Sequence, residues 1–329
     1  MMPISRGILT NIALTVAGVG IGIGLSWLFP KASAIDAGHQ LRLDPPEYPL
    51  IKPLLACNID ADTPTPAYNA LKESLEDTID RLTAAGDIHR AGIYIRNLED
   101  GSWTGVNGDN QYTPASLMKI VTLIAYLNEV EIDPVLLTKT VTIDPSISGD
   151  KQNIPATISA VPGQTYTVEQ LLRYMVSYSD NISMLTLLSH MTNESLNRTL
   201  RDLEIPGTVD EKNYSISPRL YSRFFRVLYN STVLTQYNSQ LALEWLTQSD
   251  YRNALVKNLD AGKIVAHKFG ERSTTNADGS RTYQHHDCGI VYAESPYIIC
   301  VMTEGKDLPT LANVIASLAL TVDTFMSSR

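Results

Sequence analysis

A chain of 329 residues with 44% hydrophobic content carries enough apolar material for one large domain or two small ones. Its net charge of −9 argues against nucleic acid as the main partner, because phosphate binding needs a basic surface. The cysteines are Cys57, Cys288 and Cys300. An odd number implies no disulfide framework. Cys288 and Cys300 flank an expected hairpin, but bridges between adjacent strands are usually strained, so buried free thiols are favoured.

In chain order, the stretch from Gly7 to Phe29 has no charged residue and is long enough to cross a bilayer as a helix. Arg6 precedes it, and Trp27 near its far end suits an interface. Residues 1–34 are therefore expected to form a transmembrane anchor with the N-terminus inside. The alternative is a signal peptide cleaved near Ala32-Ser33-Ala34. Residues 35–66 hold Pro45, Pro46, Pro49, Pro53, Pro64 and Pro66, which favours an extended tether. Within it "YPLIKPLLAC" is apolar enough for part of the tether to dock on the domain that follows, residues 67–329.

Leu71, Leu75, Ile79 and Leu82 have helical spacing, and Gly86 supplies a stop. "AGIYIRNLEDGSWTGVN" predicts two strands joined at Asp100-Gly101. Residues 113–258 read as mostly helical. Residues 263–269 return to a strand pattern, 288–294 and 297–305 form a hairpin around Ser295-Pro296, and 308–326 form an apolar-striped helix. Strands thus occur at both ends and helices between them. The expected fold is α+β: an antiparallel sheet flanked by the terminal helices, plus an all-helical lobe. A groove between the lobes is a natural place for a site.

In "PASLMK", Ser116 and Lys119 stand three apart before the apolar run Ile120, Val121, Leu123 and Ile124. On a helix such residues share a face, so the amine reaches the hydroxyl. An amine whose pKa is lowered by burial takes the serine proton. Alone this pattern is weak, and a capping serine beside a solvated lysine is the default. "YSDN" adds Ser179, Asp180 and Asn181 at a break between helices, though all three residue types are also ordinary caps. "HKFG" adds Lys268, Phe269 and Gly270 on an expected strand. The ordered set Ser-x-x-Lys, Ser-Asp-Asn, Lys-x-Gly is that of class A β-lactamases and penicillin-binding proteins.

From about residue 67 onward the chain resembles the catalytic domain of class A β-lactamases and related penicillin-recognising serine hydrolases. The resemblance implies that Ser116 attacks a carbonyl and is acylated, with Lys119 as candidate base. Ser179 would relay a proton to the leaving nitrogen. Asn181 would bind the substrate's side-chain amide. Lys268 would supply charge for a substrate carboxylate and tune Ser179. The backbone amides of Ser116 and of Glu271, just past Gly270, would form the oxyanion hole. The implied substrate is a β-lactam or a peptidoglycan-like peptide, with no cofactor and no metal. A D,D-peptidase-like wall hydrolase is the alternative enzyme, and a non-catalytic wall-peptide binding module the alternative of another class. The implied location is extracytoplasmic, anchored by the N-terminal helix or secreted after cleavage.

Three departures matter. The family's lactamases activate the deacylating water with a Glu-x-x-Leu-Asn loop. "ESLN", Glu194 to Asn197, is one residue short of that motif and reads as a capped helix close after Asn181. The loop should fall near residues 204–218, which are shorter and lack the motif; Glu204, Asp210 and Glu211 remain as substitutes. Slow deacylation is the expectation. Second, Phe269 stands where the family usually has Thr, so a carboxylate-binding hydroxyl is lost. Third, residues 271–284 read as a long connection that forms a flap, with Arg272 or Arg281 able to replace the lost contact. His267, His285, His286, Asp287 and Cys288 fit no standard zinc spacing and are read as packing around the Lys268 strand.

Overall fold

The computed structural model describes residues 42–54, 65–149, 152–209 and 213–328. The expected anchor, Cys57, Asp210 and Glu211 lie outside the described residues. A five-stranded antiparallel sheet runs in the order β2-β1-β7-β6-β5. Its strands are β1 (Ile88–Asn97), β2 (Trp103–Val106), β5 (Ile264–Thr275), β6 (Arg281–Tyr292) and β7 (Tyr297–Gly305). The sheet thus joins both ends of the domain, as the strand pattern implies.

Side-chain alternation gives the sheet two buried faces. Ile93, Ile95, Ile299 and Val301 point to one face, where α1 (Asn69–Ala84) and α8 (Leu308–Ser327) pack. Leu71, Leu75 and Ile79 form the buried stripe of α1. Among the described residues, α8 is the one helix long and apolar enough to cross a membrane. Its residues from Leu311 to Met326 instead supply core against the sheet. Ile298, Cys300 and Met302 point to the other face, toward the helical lobe.

That lobe comprises α2 (Lys119–Ile132), α3 (Val168–Ser177), α4 (Asn181–Ser189), α5 (Asn193–Asp202), α6 (Pro218–Asn230) and α7 (Gln236–Thr247). Short polar strands β3 (Thr140–Thr142) and β4 (Thr165–Thr167) pair within it. They are too short for a periodic signal, and the sequence reading had this region as mostly helix. Of the tether, Leu50 and Ile51 are buried in the lobe's core, and the Leu50 carbonyl accepts from Tyr292 Oη.

Two expectations are corrected. Cys288 and Cys300 are bonded, with S–S 2.06 Å. They are direct partners in the β6–β7 register, so both side chains leave the same face at adjacent positions. The odd count that argued for free thiols comes from Cys57. Residues 271–284 are also not a loose flap. β5 and β6 stay paired out to Thr275 and Arg281, and only 276–280 turn, with Gly279 at φ +82°. This polar hairpin runs beyond β7, whose pairing with β6 stops at Tyr283. With both faces near solvent it needs no apolar alternation, which is why the sequence pattern read as loop.

Candidate active site

Ser116 lies in a 3₁₀ turn, Ala115–Met118, that leads directly into α2 at Lys119. In a 3₁₀ turn i and i+3 eclipse, a closer alignment than the α-helix assumed from sequence. Lys119 Nζ donates to Ser116 Oγ at 3.2 Å. Neither the turn nor α2 takes a side-chain cap, so Ser116 is not spent as one.

The turn is braced from the sheet. Ala115 holds φ +49°, an unusual conformation for a residue with a side chain. Thr113 N donates to Gln284 Oε1, and Tyr221 Oη donates to the Leu117 carbonyl. Thr303 N donates to His286 Nδ1, which leaves Nε2 to carry the proton donated to the Thr113 carbonyl. Gly270 presses on the turn itself. A Cβ there would meet Pro114 O at 2.8 Å and Leu117 N at 3.0 Å. Sequence reasoning missed Gln284, His286 and Tyr221 as braces, since nothing local marks them. His286 was read as packing around the Lys268 strand, not as a brace of the Ser116 turn.

At the break between α3 and α4, the three polar residues divide the work. Asp180 is the cap: its carboxylate accepts from Ile182 N and Ser183 N, and from Ala160 N and the Ser159 and Ser183 hydroxyls. This leaves Ser179 and Asn181 for the site. Ser179, at φ +57°, places Oγ 3.1 Å from Lys119 Nζ and 2.9 Å from Lys268 Nζ. Asn181 Oδ1 accepts from Lys119 Nζ at 2.7 Å, and the Ser179 carbonyl accepts from the same amine.

Burial lowers the pKa of Lys119 to about 7, against the opposing pull of Asp180 and Glu271. Lys268 is pushed well below the usual lysine range, first by burial and then by Lys119. The two amines therefore compete for positive charge around one hydroxyl. A neutral Lys119 can accept the Ser116 proton, and Ser179 Oγ, touching both amines, can pass a proton onward.

A cavity of about 380 Å³ exposes the site, lined by Ser116, Gln152, Asn153, Asn181, Glu271 and Arg272 among others. The Glu271 carboxylate accepts from Asn153 N, Asn153 Nδ2 and Ile154 N, so the 152–154 segment is clasped to the cavity rim. Phe269 does not line this cavity. Its ring is buried below the Lys268 amine, 4.2 Å away, and stacks on Tyr251 with centroids 4.1 Å apart. Arg272 lines the cavity, whereas Arg281 sits at the start of β6. The histidines have separate partners: His267 with Asp287, His285 with Tyr251, His286 with the Thr113 carbonyl.

The sequence pattern described as the beta-lactamase enzyme family matches residues 73–325. The chain belongs to this family. It is 23% identical to Beta-lactamase VEB-1 of Pseudomonas aeruginosa over 269 residues, covering 76% of this chain and 89% of that protein. Among solved structures, PBP-A matches with TM-score 0.66 at 19% identity, over 83% of this chain and all of that one. The extended-spectrum beta-lactamase TLA-3 matches with TM-score 0.67 at 18% identity, over 78% of this chain and 99% of that one. These likenesses show the beta-lactamase/transpeptidase-like fold. Within this family member, Glu194 of the "ESLN" segment sits in the first turn of α5 behind the Thr192 cap, is exposed, and pairs with Arg201.

Proposed function

We propose that this domain is an acyl-serine hydrolase acting on a β-lactam or a related amide, with deacylation slow. The observation that carries the reading is the Lys119 amine, buried, shifted to a pKa of about 7, and in contact with both Ser116 and Ser179. Ser116 Oγ attacks the carbonyl carbon as its proton moves to the neutral Lys119 amine. The carbonyl oxygen takes up negative charge against the backbone amides of Ser116 and Glu271. The C–N bond then breaks, and the nitrogen receives a proton through Ser179, which the Lys119 and Lys268 amines resupply. Asn181 orients the acyl side and Lys268 adds charge near the leaving group.

Slow deacylation is supported by where the carboxylates are among the described residues. A water attacking the acyl-enzyme needs a positioned base. Glu271 is engaged by the Asn153–Ile154 backbone, and Asp180 accepts five hydrogen bonds as a cap. Glu204 points outward and pairs with Arg223. None of these is disposed to activate water at Ser116. A mutant of PBP-A has been captured as its acyl-enzyme complex with penicillin G, a precedent on this fold for such a state. The apolar N-terminal stretch supports an extracytoplasmic placement by anchor or cleaved signal.

The test is a chromogenic cephalosporin mixed with the full chain. The expected trace is a burst of one product per protein, followed by a much slower phase. Rapid linear turnover without a burst would overturn the slow-deacylation reading. A peptide ending in D-Ala-D-Ala, run in parallel, separates a D,D-peptidase from a lactamase.

A further inference from the structure

Residues 152–160 form neither helix nor strand, yet they are fastened along their length. Gln152 Nε2 donates to the Ser179 carbonyl, and Asn153 and Ile154 donate to the Glu271 carboxylate. Farther along, Thr157 donates to Asp250, and Ser159 and Ala160 donate to Asp180. Ser179 and Asp180 belong to the helical lobe, whereas Glu271 lies on β5. The segment is thus a strap from lobe to sheet, and Glu271 holds its sheet end. A cavity of about 460 Å³ lies beyond the strap, walled by Ile154, Pro155, Tyr251, Leu308 and Ala312 among others. Asn153 lines both this cavity and the one that holds Ser116. Glu271 lines the Ser116 cavity and Ile154 the outer one, so the bond between them stands at the boundary. Tyr251 fixes where the outer cavity is. Its ring stacks on Phe269, and the Phe269 ring is 4.2 Å from the Lys268 amine. The outer cavity therefore continues the groove past Lys268.

We infer that Glu271 is a specificity-determining residue: its carboxylate latches the strap between the two cavities, so that the closed groove accepts a compact leaving half and turns away an extended one. The inference rests on the acyl-serine reading above. In that reading the leaving nitrogen takes its proton from Ser179, so the leaving half lies on the side of Ser179 and Lys268. A leaving half that extends in this direction meets Asn153 and its bonds to Glu271. Room for it lies in the outer cavity, whose volume is ordinary for a small-molecule site and whose walls suit an apolar group. The latch is three hydrogen bonds to an ionised acceptor, each stronger than a bond between neutral groups. Discrimination then comes from a barrier against the extended substrate rather than from added contacts to the compact one. Glu271→Ala removes both acceptor oxygens and joins the two cavities.

The test uses the full chain and two cephems with the same acyl group, one carrying methyl and the other benzyl on the ring that holds the leaving nitrogen. Neither group is expelled when the β-lactam C–N bond breaks, so intact-protein mass spectrometry reads both acylation rate constants. On the wild type the methyl compound is expected to react about tenfold faster or more. Glu271→Ala is expected to bring the ratio of the two rates toward one, whatever it does to either rate. Asn153→Ala removes the side-chain bond of the latch at an exposed position and is expected to shift the ratio the same way; it decides if the first variant fails to fold. Equal rates on the wild type, or a ratio that loss of the latch leaves unchanged, overturn the inference and leave the Ser116 chemistry standing. Binding of both compounds to Ser116→Ala, alone and combined with Glu271→Ala, is measured by calorimetry alongside. If neither compound acylates the wild type, yet the methyl one binds Ser116→Ala about tenfold tighter and loses that preference with Glu271→Ala, the reaction is wrong and the latch is supported. Neither acylation nor a binding preference overturns both.

Discussion

Lys119 touches Ser116, Ser179 and Asn181 at once, and on the proposed mechanism its protonation state decides whether Ser116 can react. In the proposed mechanism the neutral amine is the base, and burial brings its pKa to about 7. Acylation should therefore be slow in acid, rise through about pH 7 and level off above it, read as rate constants from about pH 5 to pH 9. A profile flat across that range would remove Lys119 as the base. Lys119→Met should lower the rate by about two to four orders of magnitude, the usual contribution of a positioned base. At this scale the sequence was informative, because Ser116, Lys119, Ser179, Asn181 and Lys268 sit in short ordered motifs. Phe269 was legible as a departure but not in its placement. Its ring goes into the core, stacked on Tyr251 and lying under the Lys268 amine, rather than into the cavity.

The elements matter through how closely they approach. β5 can lie against the nucleophile turn only because residue 270 has no Cβ. Gly270→Ala places a carbon 2.8 Å from Pro114 O, so strand or turn must shift. Misplacing a nucleophile by about 1 Å costs roughly two orders of magnitude in rate. The expected result is a large loss of acylation in a protein that still unfolds cooperatively; an unchanged rate would mean the turn is not set by β5. Asp180→Ala removes the α4 cap and strands several donors, three of them backbone N–H groups. Thermal unfolding should report a loss of at least about 1 kcal/mol. The helices and the β6–β7 hairpin were readable from periodicity and turn residues. The β5–β6 extension, β3 and β4 were not, because polar strands beyond the core carry no hydrophobic alternation.

Over the whole molecule, the sheet buries neutral histidines beneath the site. Burial lowers His285 to about 4 and His286 to about 3, from an ordinary 6.5. The unfolded chain therefore binds protons that the folded chain refuses. Stability from this source is full above pH 6.5 and falls as pH drops toward about 4 and 3. For His285 alone the complete loss is on the order of 3 kcal/mol. Urea unfolding should show a clearly lower midpoint at about pH 5 than at about pH 7, and His285→Gln should flatten that dependence. The two-lobed plan, with strands from both chain ends, was legible in the order of elements. The Cys288–Cys300 bond was not, since it depends on strand register rather than on cysteine count.

The central claim is that Ser116 is the nucleophile of a stalling acyl-enzyme. It is tested most directly by intact-protein mass spectrometry of the full chain mixed with a penicillin, followed over time, beside Ser116→Ala. The account predicts an adduct of one intact penicillin on the wild type that persists, and none on the variant. An adduct on both proteins, or no adduct and no penicillin consumed by the wild type, would contradict it.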